Sequence, residues 1–159
     1  MSQVAPGQPV PDFTLEATGG KRISLSDFRG KKHVVLYFYP KDHTPGCTTE
    51  GRDFNAHYDE FQALDTEILG VSRDSVRTHE NFKAKQGFRF DLLSDPDEVA
   101  CRLFDVIKEK NMYGRKVMGI ERSTFLIDKN GILVREWRKV KVKGHVEEVL
   151  AAVRELAQG

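Results

Sequence analysis

Cysteine is scarce in this chain of 159 residues: there are two, Cys47 and Cys101, set 54 positions apart. That excludes a disulfide framework, and with no C-x-x-C pair there is neither a zinc-binding knuckle nor a vicinal dithiol for thiol–disulfide exchange. An excess of one charge is missing too. Lys and Arg number 25 against 24 Asp and Glu, a formal net charge of +1, so charge gives no reason to expect a nucleic-acid or membrane partner. No apolar run approaches the roughly 20 residues of a membrane span, and the opening Met1-Ser2-Gln3-Val4-Ala5-Pro6 has neither a basic nor an apolar leader segment. The expected location is the cytoplasm, where free thiols persist. Repeats, low-complexity tracts and linkers are absent, and His33, His43, His57, His79 and His145 show no metal-ligand spacing.

What remains is ordinary for a soluble protein. An apolar fraction of 39% and a charged fraction of 31% suit one domain over residues 1–159, long enough to bury a core without staples.

The stretch Phe38-Tyr39-Pro40-Lys41-Asp42-His43-Thr44-Pro45-Gly46-Cys47 organises the chain. The β-branched and aromatic run from Val34 to Tyr39 predicts a buried strand, which Pro40 stops because proline has no N–H for a sheet. Thr44 then takes the N-cap of a helix and Pro45 its first position, where a missing N–H costs nothing. Cys47 lands in the first turn, with Phe54, Tyr58 and Phe61 following at helical spacing as far as about Leu64. There the helix dipole and unpaired N–H groups favour thiolate over thiol, and the thiolate is the nucleophile. The alternative is a small buried hydrophobe, as many free cysteines are.

The rest of the chain alternates strand and helix. Phe13–Leu15 and Ile23–Leu25 predict a β-hairpin, followed by a short turn at Ser26–Phe28. Glu67–Ser72 predicts a strand, and Ser75–Gln86 a helix that Gly87 ends. Asp91–Ser94 is a short strand, and the next helix has Val99, Ala100, Leu103 and Phe104 as its apolar face with Cys101 beside it. Asn111–Ile120 lacks a period and predicts a loop. Ser123–Ile127 and Ile132–Trp137 bracket Asp128-Lys129-Asn130-Gly131, the strongest hairpin signal in the chain. Lys139–Lys143 predicts an exposed edge strand or extended loop, and Val146, Val149, Leu150, Val153 and Leu156 form one stripe of a last helix. The fold class is therefore α/β: a thioredoxin-like, central mixed β-sheet flanked by helices, with an N-terminal β-hairpin.

Pro40, Thr44 and Cys47 resemble the Pro-x-x-x-Thr-x-x-Cys signature of peroxiredoxins, and Arg122, just ahead of Ser123–Ile127, stands where that family places its active-site arginine. The similarity runs from Pro11-Asp12-Phe13-Thr14-Leu15 to Asp128, and within the family it resembles the bacterioferritin comigratory protein group, also called PrxQ. This implies a thiol peroxidase that reduces hydrogen peroxide and organic hydroperoxides without metal or other cofactor. Cys47 would be the peroxidatic nucleophile, passing through a sulfenic acid. Arg122, the Thr44 hydroxyl and the Gly46 and Cys47 N–H groups would bind the peroxide oxygens, and Pro40 would exclude water. Glu50 either orients Arg122 or continues the helix. His43 is read as a solvated loop residue.

The chain departs from the group at the resolving cysteine. Many members carry one five positions after the first, where this chain has Arg52, and others carry it near Phe82, Lys83 and Ala84. Resolution therefore falls to Cys101 or to an outside thiol such as thioredoxin or glutaredoxin/glutathione. The expectation is a one-cysteine mechanism in a monomer, with Cys101 structural; a two-cysteine mechanism with Cys101 resolving stays open. Other classes are a thioredoxin-type oxidoreductase, which the missing C-x-x-C disfavours, a non-enzymatic redox-sensing or chaperone module, and a cysteine hydrolase, for which no histidine base is evident.

Overall fold

The computed structural model describes residues 2–159. Strands β1 (Thr14–Ala17) and β2 (Lys21–Ser24) form the N-terminal hairpin, and β3 (His33–Phe38) leads to α1 (Pro45–Ala56) and the short α2 (Tyr58–Ala63). There follow β4 (Thr66–Ser72), α3 (Val76–Gln86), β5 (Asp91–Ser94) and α4 (Val99–Leu103). The chain ends with β6 (Ile107–Met112), β7 (Arg115–Ile120), β8 (Ser123–Ile127), β9 (Leu133–Trp137) and α5 (His145–Gln158). Seven strands make one sheet in the order β2-β1-β5-β4-β3-β8-β9. It is mixed: β3 runs parallel to β4, and β4 to β5, while β8 lies antiparallel to β3.

Alternation along the central strands splits the core in two. Val34, Leu36 and Phe38 of β3 point into one apolar cluster with Phe125, Ala100, Cys101 and Phe104. Val35 and Tyr37 point into the other, with Cys47, Phe54, Phe61, Phe82, Val149 and Val153. Period-2 side-chain alternation assigns these clusters to opposite faces, so α1, α2, α3 and α5 cover one face and α4 with the N-terminal segment covers the other. Cys47 and Cys101 are thus on opposite sides of the central sheet.

Ser75 caps α3 by accepting from the Thr78 N–H, and Gly87 closes it in the left-handed region at φ 71°. The long helix predicted to reach Leu64 instead breaks at His57, the shared boundary of α1 and α2. The segment Asn111–Ile120 is no loop. Its register pairs Met112 with Arg115 across Tyr113 and Gly114, both at positive φ, so the turn residues close a hairpin that apolar periodicity does not reveal. Its strands are mostly solvent-facing, which is why they carry no alternating apolar pattern. Lys139–Lys143 is irregular chain, and Val99, assigned to the apolar face of α4, is 53% exposed because α4 is a single short turn seated through Ala100 and Cys101. Among the described residues no helix is long and apolar enough to cross a membrane.

Candidate active site

Strand β3 delivers the chain to Pro40, and the loop that follows returns it into α1, with Pro45 at the first helical position. Cys47 is 2% exposed at the third position of that helix. The Thr48 N–H bonds the Thr44 carbonyl at 2.9 Å, so the N–H groups of Gly46 and Cys47 ahead of it have no intrahelical acceptor. Thr44 stands at the N-cap but does not cap. Its hydroxyl donates to the Lys41 carbonyl at 2.6 Å, turned back into the loop and away from the helix amides. The predicted N-cap residue is therefore right in place and wrong in its bond.

Arg122 reaches this helix from the start of β8. Its Nη1 donates to Glu50 Oε1 at 2.6 Å and its Nη2 approaches Cys47 Sγ at 3.4 Å. One planar fork thus spans a carboxylate and a sulfur one helical turn apart. Gly46 leaves room for this approach: a β-carbon there would lie 3.1 Å from Arg122 Nη2, close enough to push the guanidinium aside. Glu50 is fully buried with its Oε2 unpartnered, and burial pushes its carboxyl up to about 7 against the pull of Arg122. Pro40 and Thr44 are half-buried beside the thiol's helix. The structure brings Thr44, Gly46, Cys47 and Arg122 to one helix end and adds Glu50 as the residue that aims the arginine.

Cys101 is 0% exposed in the opposite cluster, and burial, followed by the neighbouring Asp95, pushes its thiol far above its ordinary value. It is protonated at neutral pH and separated from Cys47 by the sheet. Of the positions where relatives carry a resolving cysteine, Arg52 and Ala84 are exposed, Lys83 is half-buried and Phe82 is buried. His43 is exposed, as expected, although its ring also lies 5.0 Å from that of Phe82.

A cluster that sequence spacing did not single out ties the loop before α1 to α3. His79 of α3 donates from Nδ1 to Asp42 Oδ2 at 2.6 Å, and Asp74 lies close enough that one ligand atom from each of the three falls within 4.8 Å of the others. Both Asp42 oxygens and both His79 nitrogens are engaged in hydrogen bonds within the protein, so the cluster is a bonded network and not a vacant donor set. No local motif could have announced a pair 37 residues apart.

A family profile described as AhpC/TSA family matches residues 6–136. The chain belongs to that family, the peroxiredoxins. It is 60% identical over 143 residues to Peroxiredoxin Bcp of Xanthomonas campestris pv. campestris, covering 90% of this chain and 89% of that protein. It is 51% identical over 152 residues to Peroxiredoxin Bcp of Bacillus subtilis, covering 96% of each. A solved structure concerned with the alkyl peroxide reduction activity of Xanthomonas campestris bacterioferritin comigratory protein is 58% identical and superposes with a TM-score of 0.87, covering 91% of this chain and 92% of that one. These similarities place this peroxiredoxin in the Bcp/PrxQ group and make it a thiol peroxidase.

Proposed function

We propose that this peroxiredoxin reduces hydrogen peroxide and alkyl hydroperoxides by a one-cysteine mechanism, with Cys47 as nucleophile and an external thiol as reductant. The observation that carries this is the placement of Arg122 Nη2 at 3.4 Å from Cys47 Sγ, over a helix end with free N–H groups. The alkyl class is supported by the activity named for the Xanthomonas relative.

The thiolate attacks one peroxide oxygen in line with the O–O bond. An S–O bond forms as the O–O bond breaks, sulfur is oxidised to sulfenic acid, and an alkoxide or hydroxide leaves and takes up a proton. Charge moves from sulfur to the two oxygens, so fixed donors around those oxygens lower the barrier. Arg122 supplies a permanent charge and a planar fork, and the Gly46 and Cys47 N–H groups supply dipoles that need no reorganisation. Because the Thr44 proton is committed to the Lys41 carbonyl, the hydroxyl oxygen faces substrate as an acceptor for the peroxide O–H. Pro40 adds apolar cover without a competing donor. An outside thiol such as thioredoxin or glutaredoxin/glutathione then condenses with the sulfenic acid, releasing water, and a second thiol cleaves the mixed disulfide to restore Cys47. Cys101 takes no part. The protein acts in the cytoplasm as a monomer.

Cys47→Ser abolishes peroxide consumption in the presence of a thiol reductant while Cys101→Ser retains it. Turnover by the first variant would refute the assignment.

A further inference from the structure

We propose that the buried Asp42–His79 pair is a positioning lock for the peroxide site, holding the loop of residues 40–44 against α3 and β5 so that the Thr44 hydroxyl stays off the helix amides. The proposal rests on Cys47 being the peroxidatic residue. Asp42 Oδ1 accepts from the Tyr39 hydroxyl at 2.6 Å and Oδ2 from His79 Nδ1 at 2.6 Å, while His79 Nε2 lies 2.9 Å from the Leu93 carbonyl. Both ring nitrogens of His79 thus face oxygen atoms, one on the loop and one on β5, so the ring bridges the two elements. Both side chains are fully buried. The Asp42 N–H donates to Asp74 Oδ2 at 3.0 Å, and the Ser72 hydroxyl donates to the same oxygen. Peroxide chemistry uses none of these groups, yet they fix the residue two places before Thr44.

The loop needs such fixing. His43 is held at φ 64°, a left-handed conformation that a non-glycine residue keeps only where its surroundings over-determine it. Lys41, whose carbonyl accepts the hydrogen bond of the Thr44 hydroxyl, precedes Asp42 directly in the chain. If Asp42 is released, that carbonyl moves and the Thr44 hydroxyl is freed. A threonine at an N-cap then turns to accept from the N–H groups of the first helical turn, its ordinary role. Those are the amides the peroxide requires. The lock therefore acts through Thr44, as a positioning device and not as a catalytic group.

The test is single-turnover oxidation of the reduced full chain by hydrogen peroxide, for His79→Gln, Asp42→Asn, Thr44→Val and the His79→Gln/Thr44→Val pair. The expected result is a rate constant lowered about tenfold in each of the first two, the scale of effect of misplacing a reacting constellation by a fraction of an ångström. The double variant should be no slower than Thr44→Val alone within about twofold, because residues acting as one unit are not additive. Rates within twofold of the parent, with only a lower melting midpoint, would make the pair merely structural and overturn the proposal, as would multiplicative losses in the double variant. Should His79→Gln fail to fold, Asp42→Asn, which keeps the side-chain shape, decides in the same terms, with Asp42→Asn/Thr44→Val as the double variant. A parent that does not oxidise Cys47 would defeat the peroxidase mechanism instead. Amide exchange across residues 40–48 still judges the lock in that case: faster exchange in His79→Gln supports it, and unchanged exchange overturns it.

Discussion

Replacing Arg122 by alanine removes two contacts at once, and their consequences differ. The first is the guanidinium beside Cys47 Sγ at 3.4 Å, the charge that meets the oxygens as the O–O bond breaks. Loss of one preorganised donor of this kind costs about 10²–10³ in rate, or about 3–4 kcal/mol of barrier. The second is the 2.6 Å bond to Glu50, a carboxyl with no exposure. Burial already holds it at about 7 with the arginine present, so without its partner it moves higher and stays protonated at neutral pH. The freed Glu50 therefore adds little negative charge near the thiol, and most of the rate loss comes from the first contact. The assay is the second-order rate constant for oxidation of the reduced protein, from loss of free thiol against time at several peroxide concentrations. Arg122→Lys, which keeps the charge without the fork, falls between parent and Arg122→Ala. Arg122→Ala/Glu50→Gln matches Arg122→Ala. A rate for Arg122→Ala within threefold of the parent would refute the role given to the arginine, and recovery in the double variant would show that an ionised Glu50 caused the loss.

Gly46→Ala puts a methyl 3.1 Å from Arg122 Nη2, so the guanidinium shifts by a few tenths of an ångström and peroxide oxidation slows about tenfold, read in the same assay. Cys101→Ala leaves peroxide turnover unchanged with an external thiol and lowers the denaturation midpoint modestly, by roughly 1 kcal/mol for a small core truncation. For Glu50 the folded carboxyl, at about 7, lies above its ordinary 4.5. Its contribution to stability is present below about pH 4.5 and is lost as pH rises through about 7, on the order of 3 kcal/mol across that window. Glu50→Gln removes this slope from the stability-versus-pH curve, measured by chemical denaturation at each pH. Burial holds His145 down at about 4, where its Nε2 lies 2.8 Å from the Thr124 hydroxyl. The stability it contributes is present above about pH 6.5 and lost as pH falls through about 4, so His145→Gln flattens the acid limb of the same curve.

The proposed catalytic end of α1 was legible because its signals are local. Pro45 at the first helical position, Cys47 two residues on and the apolar strand before them need no tertiary knowledge, and Arg122 was found through its place in a family pattern. The Asn-Gly hairpin between β8 and β9 and the glycine stop of α3 were legible for the same reason. The hairpin of β6 and β7 was not. Its residues face solvent on most positions, so burial imposes no period on them, and only the Tyr113-Gly114 turn betrays it. Nor could the sequence tell which way the Thr44 hydroxyl turns, since the Lys41 carbonyl competes with the helix amides for the same group. The Asp42–His79 pair joins a loop to a helix that the sheet brings together, and neither residue type nor spacing foretells it. The separation of the two cysteines is likewise a property of the sheet: Cys101 was placed correctly beside an apolar face, but which side of β3 that face covers follows only from the alternation of Val34, Val35, Leu36 and Tyr37 in three dimensions.

The most direct test of the one-cysteine mechanism is the intact mass of the reduced protein after one equivalent of hydrogen peroxide, taken in the presence of a sulfenic-acid trap and followed by peptide mapping. The mechanism predicts a single trap adduct on Cys47 with Cys101 still a free thiol. A loss of two hydrogens mapping to a Cys47–Cys101 disulfide would contradict it, because Cys101 is buried in the opposite apolar cluster and its helix would have to open during turnover.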